Sequence, residues 1–167
     1  MSVDQYKYIG TRSIRPDGYD KVTGKAAYGA DFSAAGMLHG KVLRSPHAHA
    51  RIKSLDLSRA LAQPGVLAAV SSNDFAPTPE ELKAASTGAT DFLDLSDNIL
   101  ARDKVLYHGH AVAAIAATSE AIALEAMQLI DVEYEVLPHV TGIAAAMAEN
   151  APVLHEDLFT SGLPDTP

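Results

Sequence analysis

The sequence contains no cysteine. That absence excludes a disulfide, a thiolate zinc site and a cysteine-ligated iron–sulfur cluster, so any redox centre has to be supplied from elsewhere. Positive charge is scarce too: thirteen Lys and Arg stand against twenty-one Asp and Glu, for a net charge of −8. The bases form no run or stripe that could follow a phosphate backbone, and no nucleic-acid partner is expected. No apolar run approaches the ~18 residues that a membrane span requires. The opening MSVDQYKYIG lacks the apolar segment of a secretory leader. The expectation is a cytoplasmic chain without a membrane partner. Phosphate-cradling loops (G-x-G-x-x-G, G-x-x-x-x-G-K) and the G-x-S-x-G nucleophile elbow are also missing.

What is present suits one domain: 167 residues, 47% hydrophobic, enough to bury roughly 70% of the unfolded surface. Residues 1–24 are polar and turn-rich, with Pro16-Asp17-Gly18 and Gly24, and read as an N-terminal docking arm. A first strand is predicted over KAAYGADF (25–32). Further strands are predicted over 37–45, 50–57, VLAAVSS (66–72) and 131–136. The small, apolar stretch 112–117 predicts a strand buried on both faces. A short helix through SRALAQ is expected behind Asp56 or Ser58 as cap. A longer amphipathic helix is expected behind Thr118, with Glu120, Glu125 and Gln128 on its polar side, and a last short one over IAAAMAEN. Between residues 73 and 98 the composition turns to Pro, Thr, Glu, Ser and Asp, and reads as a long loop, functional or disordered. The class is α+β: a mixed sheet with two or three packed helices.

Two H-x-H pairs, His47/His49 and His108/His110, are the sharpest local signal. Residues i and i+2 of a strand share a face and can chelate one ion. Spacing alone does not bring the pairs together, and structural or surface histidines are the competing reading. Asp131, Glu133 and Glu135 alternate with Val132, Tyr134 and Val136, which favours a solvated outer face over paired catalytic carboxylates. Phe92, Leu93 and Leu95 are either anchors for the acidic loop or part of a hydrophobic surface for a partner or substrate.

Four segments in order carry a resemblance: DKVTGKAAYGADF, GMLHGKVLRSPHAHARIKSLDLSRALAQPGV, LARDKVLYHGHAVAAIAA and EAIALEAMQLIDVEYEVLP. Over about residues 9–158 they resemble the N-terminal α/β hammerhead domain of the molybdopterin-binding large subunit in the xanthine dehydrogenase and aldehyde oxidase family. LARDKV followed by VAAIAA is most similar to the branch containing 4-hydroxybenzoyl-CoA reductase. The resemblance implies an arm at 1–24, a hammerhead domain at 25–158 and a tail at 159–167 leading towards a missing cofactor-binding region. It further implies a piece, or a separately encoded part, of a larger oxidoreductase that oxidises aldehydes or heteroaromatics such as xanthine, or reduces 4-hydroxybenzoyl-CoA. This chain alone would be inactive, with no catalytic and no cofactor-binding residue of its own. Molybdopterin would sit in the rest of the subunit, and iron–sulfur clusters and FAD on partner subunits or domains. By the same analogy Phe92, Leu93 and Leu95 would border a substrate funnel. The isolated chain would expose an apolar face through which it can self-associate. The alternative is a stand-alone protein, either binding metal through His47, His49, His108 and His110 or acting as an adaptor through the acidic loop.

Overall fold

The computed structural model describes residues 7–75, 77–87 and 90–156. The chain divides into two compact units, Met1–Met37 and Leu38–Pro167. Within the described part of the first, one short helix, α1 (Gly18–Val22), buries no residue. The strand predicted over 25–32 is not formed. Gly29–Asp31 is a single 3-10 turn, because the Asp31 carboxylate accepts the Tyr28 amide at 2.9 Å and folds the chain back locally.

The second unit has strands β1 (His39–Arg44), β2 (Ala50–Asp56), β3 (Val66–Ser71), β4 (Lys104–Val105), β5 (Ala111–Ala117) and β6 (Asp131–Val136). Its helices are α2 (Ser58–Leu61), α3 (Pro79–Ala85), α4 (Phe92–Ile99), α5 (Glu120–Met127) and α6 (Ile143–Ala146). The α+β class holds, with the strands divided over two three-stranded sheets, in the orders β1-β5-β3 and β4-β2-β6. Every pairing in them is antiparallel. No helix among the described residues is long and apolar enough to cross a membrane.

Strand β5 explains how the layers meet. Its side chains alternate between two cores, as a period of two requires. Val112 joins Ala50, Ala101 and Val105, against which Ile52, Leu55, Val132 and Tyr134 of the β2 and β6 strands pack. Ile115 points the other way, to Ala60 of α2 and Ala126 of α5. The alanines of α5 bring that helix close to the sheet, and Ala123 and Ala126 are fully buried. The cap of α5 is Ser119, not Thr118: its Oγ accepts the Ile122 amide at 3.3 Å. Asp56 serves the start of α2 at one remove, accepting the Ser58 amide at 2.9 Å while Leu57 occupies the cap position.

On β6 the acids do face out, and Glu133 and Glu135 lie 3.8 Å from Lys53 and Arg51 of β2, as solvated cross-strand pairs. Val136, expected inward, is exposed at the strand's end. The last helix is shorter than expected and ends at Ala146.

The long loop predicted over 73–98 holds two helices. Thr78 and Glu81 close a reciprocal capping box at the start of α3: Thr78 Oγ1 accepts the Glu81 amide at 3.3 Å and Glu81 Oε2 accepts the Thr78 amide at 2.8 Å. Asp91 caps α4, its Oδ1 accepting the amides of Leu93 and Asp94 at 2.9 and 3.0 Å. Local capping thus overrides a composition that looks like loop.

Candidate functional site

Helix α4 has two working faces. Asp91, Leu93, Asp94 and Asp97 line a cleft of about 250 Å³. Asp103, Lys104 and Leu106, from β4 and its flanks, line it as well. The segment Leu154–His155–Glu156 closes one side. The Lys104 ammonium meets Glu156 at 2.9 Å, which holds that carboxyl below its usual range, and His155 Nδ1 lies 3.8 Å from Asp94. The other face of α4 carries Phe92, Leu95 and Ile99, which with Phe75, Pro77 and Leu82 line a separate apolar groove of about 310 Å³. This stripe stays open: the three residues are 41%, 50% and 64% exposed.

The three funnel candidates are therefore not one surface. Leu93 lines the carboxylate-rimmed cleft, whereas Phe92 and Leu95 line the apolar groove. Residues missed by sequence reasoning are the partners of Leu93 in the cleft, above all Asp91, Asp94 and Asp97. Their spacing of three was visible in DFLDLSD as one helical face.

The histidine pairs split between interior and surface. His49 and His110 are buried, His47 is half-buried and His108 is exposed. His49, on the link between β1 and β2, donates from Nδ1 to the Pro138 carbonyl at 2.7 Å. Its Nε2 is buried without a partner among the described residues. His47 sets its ring edge-on to Tyr134 at 5.1 Å. His110 is held by backbone groups on both nitrogens. Among the described residues no group of three or more His, Asp or Glu is placed to hold a metal ion.

In the cleft, Asp97 is shifted the opposite way from Glu156. Partial burial pushes its carboxyl up, against the opposing pull of Arg102, whose Nε lies 3.2 Å away. The cleft offers apolar wall from Leu93, Leu106 and Leu154 and an acidic rim. Its rim is electrostatically suited to a neutral or cationic group rather than to an anion.

Residues 23–138 match the family described as aldehyde oxidase and xanthine dehydrogenase, a/b hammerhead domain. The chain belongs to this family. It is 40% identical over 168 residues to the probable hypoxanthine oxidase XdhD of Escherichia coli, covering 98% of this chain and 17% of that protein. It is 38% identical over 150 residues to the carbon monoxide dehydrogenase large chain of Afipia carboxidovorans, covering 90% and 18%. Among solved structures, the Cu,Mo-CO dehydrogenase in its carbon monoxide reduced state superposes with a TM-score of 0.71 at 33% identity, covering 90% of this chain and 18% of that one. The hammerhead chain thus spans under a fifth of the length of these relatives. A molybdopterin, which the family implies, presents an anionic phosphate. Among the described residues the cleft presents five carboxylates, of Asp91, Asp94, Asp97, Asp103 and Glu156, against one lysine and one histidine. These residues do not fit that group.

Proposed function

We propose that the chain is the N-terminal hammerhead domain of a molybdenum-dependent hydroxylase or dehydrogenase large subunit. It shapes subunit packing and substrate access and leaves the redox chemistry to the rest of the enzyme. The observation that carries the reading is a family match over residues 23–138 in a chain that is under a fifth of its relatives' length. A sequence without cysteine supports the same division of labour, because the iron–sulfur clusters must then lie on partner subunits or domains, together with FAD. The substrate would be an aldehyde or a heteroaromatic such as xanthine, or 4-hydroxybenzoyl-CoA in the reductive branch, in a cytoplasmic enzyme. Residues 1–24 would serve as a docking arm.

The geometry supports giving the funnel candidates two different roles. Leu93 faces a concave, mixed polar and apolar cleft, the kind of surface along which a small molecule travels. Phe92 and Leu95 belong to an exposed apolar groove, the kind of surface that packs against protein. The test is Leu93→Trp in the complete subunit, with xanthine and an aromatic aldehyde as probe substrates. The reading expects a several-fold fall in kcat/KM at unchanged molybdenum content. Unchanged kinetics with a bulky residue in the cleft would remove substrate access from the account.

A further inference from the structure

The second H-x-H motif contributes a buried residue, His110, that the access reading does not use. His110 is fully buried, directly before β5. Its Nε2 lies 2.9 Å from the Asp97 carbonyl and its Nδ1 lies 3.2 Å from the Leu106 amide. Asp97 lines the cleft from α4 and Leu106 lines it from the segment directly after β4. A carbonyl can only accept and an amide N–H can only donate, so both bonds form in one state: neutral imidazole with its proton on Nε2. Tyr107 stacks on the ring at 4.3 Å between centroids and 17° between planes, which fixes its rotation. The His110 carbonyl accepts the Ser45 amide at 2.8 Å, and the Gly109 amide donates to the Ser45 carbonyl at 2.9 Å, so the backbone carrying the ring is anchored to the end of β1.

We infer that His110 is the positioning residue of the cleft: a single-tautomer strut whose two nitrogens fasten the α4 wall at Asp97 and the β4 wall at Leu106 at a fixed separation. Helix α4 is only eight residues long, below the length at which a helix holds itself in water, so its place depends on such contacts. The carbonyl of Asp97 lies in the last turn of α4, where the helix leaves carbonyls without partners of its own. His110 supplies one of the missing donors. This inference deepens the proposed access role of the cleft and rests on it only for what the strut is for.

Two substitutions separate the two bonds. A glutamine carries an N–H₂ near the position of Nε2 and can keep the link to Asp97. An asparagine carries an oxygen near the position of Nδ1 and can keep only the link to Leu106. Amide hydrogen exchange of the 167-residue chain should show α4 opening about tenfold faster in His110→Asn, with protection substantially restored in His110→Gln. Equal loss in both variants, or none in either, would overturn the strut and leave ring packing as the sole role. Should both variants fail to fold, the unmodified protein decides: imidazole nitrogen NMR at neutral pH must show His110 neutral and protonated on Nε2. An Nδ1–H tautomer or an imidazolium there would contradict the inference. The Leu93→Trp kinetics report on access separately, so the strut and the access reading can fail independently.

Discussion

Leu93 and Leu95 sit two residues apart on α4 and line different cavities, Leu93 the acidic cleft and Leu95 the apolar groove. At ~100° per residue, a step of two turns the side chain to nearly the opposite side of a helix. In the complete subunit, Leu95→Asp should therefore reduce the yield of assembled enzyme while leaving kcat/KM of the assembled fraction near normal, the reverse of Leu93→Trp. Size-exclusion chromatography beside steady-state kinetics reads both. Matching effects of the two substitutions would mean that α4 presents one surface, not two.

Acid should loosen the domain through His110. Burial holds its pKa below the ordinary 6.5, with the Asp97 carbonyl and carboxylate pulling the other way. Between the folded value and 6.5 the unfolded chain binds more protons, so stability is full above 6.5 and falls as pH drops through that window. The charged group acting on the ring is Asp97, whose carboxylate is itself paired with Arg102. Asp97, raised by burial, contributes the opposite slope above 3.8. Urea midpoints at about pH 7.5 and about pH 5.5 should differ more in the unmodified chain than in His110→Gln, which has no titrating ring. An equal difference in both would assign the acid effect to other groups.

Gly65 should not tolerate a side chain. It adopts φ +91°, and a methyl group there would lie 2.8 Å from Ile122 Cδ1 and 2.9 Å from Thr118 Oγ1. Its carbonyl also accepts the Thr118 amide at 2.9 Å, tying the start of β3 to the end of β5. Gly65→Ala is expected to destabilise the fold by about 1–3 kcal/mol, measured by chemical denaturation.

Removing the α4 cap should have a local effect. Asp91→Ala loses two amide bonds at the first turn of the helix, a loss of about 1 kcal/mol. Exchange protection should drop over 92–99 first, while β5 stays protected.

The sequence disclosed most where one physical signal was undisputed. The small apolar run of β5 read as a doubly buried strand, and Ala111, Val112, Ala113, Ile115 and Ala117 are buried. The alternation of β6 placed Val132 and Tyr134 inward, but it could not show that Val136 lay past the intersheet core. Helices α3 and α4 were legible too, in the capping box of Thr78-Pro79-Glu80-Glu81 and in Asp91 followed by Phe92, Leu95 and Ile99 at helical spacing. The polar composition of the region masks both signals and resembles loop. The H-x-H pairs were legible only in part. Spacing of two aligns side chains only in a regular strand, and here each pair lies in a connection outside the strands, so one partner of each is buried and the other is not. Which walls a buried imidazole joins depends on contacts between distant segments and is invisible in local pattern.

The central claim, that this domain serves a molybdenum enzyme without housing its redox centre, is tested most directly by elemental analysis of molybdenum. The measurement compares the purified 167-residue chain with the complete large subunit, both after exhaustive dialysis. The account expects stoichiometric molybdenum in the complete subunit and none in the 167-residue chain. Stoichiometric molybdenum retained by the short chain, or its absence from an active complete subunit, would contradict it.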